Sequence, residues 1–79
     1  MSYRPLVDHL IESVVEDAGA VSIQEEEDGG TRTFFVTVGP DDVGKVIGKS
    51  GRVVSAIRYV VSAVAAKSRE KAYVKIVTD

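Results

Sequence analysis

The sequence predicts an α+β fold with the element order αββααβ, a three-stranded sheet packed on one face by three helices. Three observations carry that reading. Apolar residues recur at helical spacing near the start and again between residues 43 and 64. They alternate with polar residues between residues 20 and 38 and once more near the end. A pair of glycines, Gly48 and Gly51, interrupts the second helical stretch. At 79 residues and 44% hydrophobic content, the chain fills one domain, taken as 1–79, near the lower end of what folds unaided. No repeat or low-complexity linker divides it.

Pro5 to Ala18 carries Leu6, Val7, Leu10, Ile11, Val14, Val15 and Ala18 as a wide apolar stripe, with Pro5 suited to the first turn of a helix and Gly19 to its end. His9 falls on the polar face beside Glu12 and Glu16 and is given no role. Ala20 to Gln24 alternates Val21 and Ile23 with polar neighbours, and Thr33 to Val38 puts Phe34, Val36 and Val38 on one face, so two strands are expected. Glu25 to Gly30 between them reads as a charged hairpin tip whose carboxylates keep it soluble. Gly39-Pro40 closes the second strand. Asp41 and Asp42 are expected to cap a short helix through Ile47. After the glycine pair, Val53, Ile57, Val60, Val61 and Val64 fall within one arc with Val54 at its edge, and this arc is expected to face the strands. Ala72 to Val77 reads as the last strand, with Val74 and Ile76 inward.

The formal net charge of −2 hides a strong segregation. Residues 1–42 sum to −8, whereas residues 43–69 hold six bases and no acid. The basic block contains the glycine pair, the pattern of a local footprint for a polyanion, although charge by itself fits a solvated helix face equally well. The chain contains no cysteine, so disulfides, thiolate chemistry and cysteine zinc sites are excluded. With one histidine on a polar face and the paired acids at caps and the hairpin, no nucleophile, base and orienting group come together, and no enzyme, metal or cofactor is expected. Apolar stretches fall short of the ~20 residues of a membrane span, and the first residues lack a basic-then-apolar signal pattern. The expectation is a cytoplasmic protein with no membrane contact.

Val46-Ile47-Gly48-Lys49-Ser50-Gly51-Arg52 reads as a helix, a tight turn and a second helix. Glycines allow positive φ and close approach of another backbone, and unpaired amides at a helix start favour an anion. A Walker A loop is excluded. It requires a glycine at position 43, which is Val43, and a buried strand before the turn. The pattern V-I-G-x-x-G-x-x-V, met by residues 46–54, resembles instead that of a KH domain, whose GxxG loop joins two helices and clamps a four-nucleotide single strand. The αββααβ order resembles the type II arrangement, and the resemblance covers essentially the whole chain.

The length resembles that of the small bacterial single-KH proteins of the KhpA family. This resemblance implies RNA binding, pairing with itself or with a larger KH-containing partner of the KhpB type, and a part in post-transcriptional control linked to cell elongation. Carried onto this sequence, it implies that the amides from Gly48 to Gly51, with Lys49 and Ser50 at the tip, meet phosphates, that Lys45, Arg52 and Arg58 add charge, and that Ile47 and Val54 touch bases. Tyr59 is the aromatic in this region, so stacking is expected to be minor. A simpler alternative is that the glycines only permit a tight turn and the lysines only solubilise it. A different class of function is an assembly subunit whose small-residue face, Ala56, Tyr59 and Ala63, meets a homodimer or heterodimer partner.

Overall fold

The computed structural model describes residues 2–78. Helix α1, Arg4–Glu12, is followed by strands β1, Ser22–Asp28, and β2, Thr31–Thr37. Helix α2, Val43–Ile47, then leads through the glycine turn to α3, Arg52–Lys67, and to β3, Lys71–Ile76. The sheet order is β1-β2-β3, with β1 antiparallel and β3 parallel to the central β2. This is the expected αββααβ architecture of a type II KH fold. Phe34, Val36 and Val74 from the sheet meet Val7 and Ile11 of α1, Val46 of α2, and Ile57, Val61 and Ala65 of α3 in one core.

The first helix is shorter than its apolar stripe suggests. Its end is set by a residue far along the chain. The side chain of Ser13 donates to the His9 carbonyl, and the amides of Val14 and Val15 both converge on the Ile11 carbonyl. The amides of Glu16 and Asp17 then donate to the Asp42 carboxylate at 3.1 and 3.0 Å. A carboxylate that accepts two amides redirects the chain out of helical geometry, and Val14 and Val15 reach the core from a turn. Asp42 therefore does not cap its own helix as expected. It precedes α2 without a side-chain capping bond and serves the segment after α1 instead.

Glu25 to Asp28 belong to β1, not to a loop. The hairpin turn is Gly29-Gly30 alone, both with positive φ, which is the two-residue type I′ geometry compatible with strand twist. In α3 the buried stripe is Val54, Ile57, Val61 and Ala65, whereas Val60, expected inward, is 39% exposed. Ala65 is fully buried, and its small side chain left no hydrophobic signal in the sequence pattern. The helix closes on a Schellman motif: the Glu70 amide donates to Ala65 and the Arg69 amide to Ala66, with Arg69 in the left-handed region usually held by glycine.

Candidate nucleic-acid interface

The turn between α2 and α3 is built from three residues at positive φ, Gly48 (76°), Ser50 (58°) and Gly51 (73°). The two glycines are there for different reasons. At Gly48 a Cβ would lie 2.4 Å from Cγ2 of Val53, so glycine lets α2 and α3 close against each other. At Gly51 a Cβ would meet nothing within 4 Å, so the space above it is open for another molecule. Three amides of the turn are used internally: Gly48 donates to Gly44, Gly51 to Gly48, and Arg52 to Lys49. Among the described residues the amides of Lys49 and Ser50 make no such bond, and both residues are exposed at the tip. Consecutive free amides on a turn form an anion-binding concavity.

The cations around it divide into two kinds. Lys49 and Arg52 are exposed and form no ion pair among the described residues. Lys45 is held by Glu16 at 2.8 Å and lies 3.8 Å from Asp42. The bond to Glu16 holds the Lys45 ammonium above its usual pKa against the opposing effect of burial. The amides of Asp17 and Glu16, in that order, hold the Asp42 carboxyl below the usual carboxylate range, with Lys45 assisting. Ile47 is half-buried beside the turn. Val54 is 6% exposed, so little of its side chain is offered to a base in this conformation.

Arg58 lies farther along α3, where its Nε donates to the Val74 carbonyl at 2.9 Å. Ser62 sits one turn below, 3.4 Å from the Ala72 carbonyl. Lys71 and Val77 donate their amides to Gly30 and Val36 on the β2 side, so the polar groups of the even-numbered residues of β3 face away from the sheet. A groove of about 360 Å³ runs along that edge, lined by Arg58, Ser62, Ala72, Tyr73, Val74 and Lys75. Among the described residues its lining holds two cations and an aromatic ring but no carboxylate. Tyr73 and Lys75 were missed in the sequence, and Tyr73 corrects the expectation that Tyr59 alone supplies an aromatic nearby. Their alternation with buried Ala72 and Val74 was the available signal, yet only the pairing of β3 with its neighbours places them beside Arg58.

On the outer side of α3, Ala56, Tyr59 and Ala63 are exposed, with Tyr59 77% accessible, and Val60 joins them. The described residues contain no cluster of three or more metal-ligating side chains, and no helix among them is long and apolar enough to cross a membrane.

Comparison with known proteins decides the family. A sequence model described as KhpA/KhpB, KH domain, matches residues 4–76. The chain belongs to this KH-domain family. Among its relatives, the RNA-binding protein KhpA of Halalkalibacterium halodurans is 38% identical over 74 residues, which cover 94% of this chain and 97% of that one. The RNA-binding protein KhpA of Clostridium perfringens is 38% identical over 94% of this chain and 99% of its own. That of Listeria monocytogenes is 40% identical over 94% and 87%. In this KH domain the groove at the open edge of β3 is lined by Arg58 and Ser62 of α3, and the acids of β1 lie on the opposite edge of the sheet.

Proposed function

We propose that this KH domain binds single-stranded RNA through the Gly48-Lys49-Ser50-Gly51 loop. The observation that carries the reading is the coincidence, at one exposed turn, of two free amides, two unpaired cations and open space above Gly51. A phosphate at the turn accepts from the Lys49 and Ser50 amides and is neutralised by Lys49 and Arg52. The terminal nitrogens of Arg58 serve a further phosphate, and Lys45 contributes when it leaves Glu16. Bases lie toward the groove between α3 and β3, against Ile47 and the exposed margin of Val54. Contact through backbone amides and point charges is sequence-tolerant, so recognition of shape and single-strandedness dominates over base identity. In the cell the domain would act in the cytoplasm as a post-transcriptional regulator or RNA chaperone, with a KhpB-type partner and a connection to cell elongation and envelope homeostasis. No cofactor or catalytic step enters this reading.

The test is fluorescence anisotropy with a random single-stranded RNA, comparing the wild type with Lys49→Asp, Ser50→Asp after circular dichroism has verified both folds. The expected result is binding that weakens with salt at a log–log slope of roughly −2, about three phosphates on a single strand, and that the double variant loses. Salt-independent binding, or a folded variant that binds as well as wild type, rejects the loop as the clamp.

A second reading rests on the exposure of Tyr59 among Ala56, Val60 and Ala63. An apolar patch centred on a tyrosine fits an assembly face for a homodimer or a KhpB-type heterodimer, and pairing two weak RNA sites on one particle raises avidity without new contacts. Ala63→Arg is expected to keep the fold and halve the sedimentation mass of a wild-type dimer. A monomeric wild type, or an unchanged mass, removes this interface.

A further inference from the structure

The sheet has a second face, away from the helices, and the function proposed above does not use it. Alternation along the paired strands puts Thr33 and Phe35 of β2 and Tyr73 and Lys75 of β3 on that face. Thr33 pairs with Tyr73 and Phe35 with Lys75, so Phe35 and Tyr73 are diagonal neighbours on adjacent strands, a relation that spans about 7–8 Å. Tyr73 is 49% exposed, while Phe35 is partly covered by the Lys75 ammonium, 5.9 Å from its ring centroid. Among the described residues of the three strands, the face carries carboxylates only on β1, at Glu26 and Asp28, on the far side of β2. The half formed by β2 and β3 is thus aromatic and basic, and the other half repels a polyanion.

Tyr73 belongs to both surfaces. It lines the groove at the open edge of β3 and also stands on the open face, so a chain lying in the groove is led over the edge onto Phe35. We infer that the open face of the sheet is a second contact surface for the same RNA strand, on which consecutive bases stack against Tyr73 and Phe35 while Lys75 turns from the ring to a phosphate. Stacking on aromatic rings spaced along a basic track is a sequence-tolerant way to hold a single strand. The inference rests on the RNA-binding reading and extends its footprint beyond the roughly four nucleotides that a GxxG loop holds.

Phe35 is the position that isolates this surface, because it lies outside the groove. The experiment compares wild type, Phe35→Thr, Phe35→Tyr and the loop double variant by anisotropy with RNA probes of about four and about twelve nucleotides, with sedimentation velocity on each protein. Phe35→Thr puts a β-branched residue of high strand propensity at this position, and a melting profile matching that of wild type verifies its fold. It is expected to weaken the long probe about five-fold or more and to leave the short probe unchanged, with Phe35→Tyr restoring wild-type affinity. Equal loss on both probes, or none on either, overturns the second surface while the loop reading stands. A change of sedimentation mass without a change in RNA affinity assigns the face to a second copy of the chain and also overturns it. If wild type binds neither probe, the RNA-binding reading fails and takes this inference with it.

Discussion

Two ends of α3 use charge in opposite ways. Beyond its C-terminus, the Tyr3 hydroxyl donates to Glu70, and Arg32 lies over the Tyr3 ring at 5.3 Å. The same guanidinium reaches Glu25 and Glu27 at 3.3 Å and Glu70 at 3.6 Å. Tyr3 is 1% exposed and the Arg32 side chain 15%, so the cluster ties the start of α1, the β-hairpin and the α3–β3 connection together around a covered Tyr3–Arg32 centre, with Glu27 at its exposed margin. About 24 Å away at the other end, a distance set by sixteen residues of helix, Lys49 and Arg52 stand in solvent without carboxylates. Paired and covered charge is committed to the fold. Unpaired charge beside free amides remains available to a phosphate.

The sharpest way to break this comparison is at the glycines, because their difference puts a packing requirement and the proposed phosphate site within four residues of each other. Gly48→Ala places a Cβ against Val53 and holds a side chain at φ 76°, ψ 173°, a region almost restricted to glycine. The expected loss is about 1–3 kcal/mol from the backbone alone, read as a lower urea midpoint, with RNA affinity falling as the turn reshapes. Gly51→Ala meets no neighbour, so its stability loss is confined to the left-handed φ, about 1–2 kcal/mol. Any larger effect of Gly51→Ala on RNA affinity than on stability then reports a ligand close to that Cα. Equal stability losses at the two sites would show that the packing against Val53 is not what requires Gly48.

The clasp at the far end gives the next effect, on stability alone. The Tyr3 hydroxyl, and after it Arg32, hold the Glu70 carboxyl below its usual pKa against the effect of burial. A folded-state pKa below the unfolded value means that the stabilisation is fully present above about pH 4.3 and is lost as pH falls through the folded value. Asp42 behaves in the same direction through the Asp17 and Glu16 amides. Glu70→Gln is expected to lower the melting temperature at pH 7 and to flatten the acid limb of a stability–pH profile, leaving the part due to Asp42. Tyr3 carries the opposite sign: its bond to Glu70 and its burial raise the hydroxyl pKa, so its contribution holds below about pH 10 and declines as pH rises further. Tyr3→Phe removes that alkaline decline. RNA affinity unchanged in both variants is the expected outcome; a parallel loss would mean that the two ends are coupled through α3.

These two regions also differ in how far they could be read in advance. The order αββααβ was legible because periods of 3.6 and 2 depend on nearby residues, and the burial of Phe34, Val36, Val74 and Ile76 follows the same alternation. The glycine turn was legible because unusual backbone geometry requires a particular residue type. Contacts made by distant residues were not. Asp42 binds the Asp17 amide after α1 from 25 residues away, Glu70 holds Tyr3 from 67 residues away, and Arg58 reaches β3 only after the sheet has formed. Lys45 and Lys49 look alike in the sequence, four residues apart in one basic block. The fold separates them by pairing the first with Glu16 and leaving the second free.

That separation leads to the smallest effect and the most specific one. If carboxylates decide which cations are available, removing one should convert a structural lysine into a binding lysine. Glu16 is well exposed, and surface pairs of this kind contribute only about 0–1 kcal/mol to stability, so Glu16→Gln should melt close to wild type. Its released Lys45 ammonium would then meet a phosphate, raising RNA affinity at low salt and steepening the log–log salt slope by about 0.7, one additional phosphate on a single strand. The amides of Glu16 and Asp17 still bind Asp42 in this variant, so the chain path after α1 is kept. An unchanged slope would mean that the residual contact with Asp42 at 3.8 Å suffices to hold Lys45, and Glu16→Lys, which adds a cation beside it, should then raise the affinity without recruiting Lys45 itself.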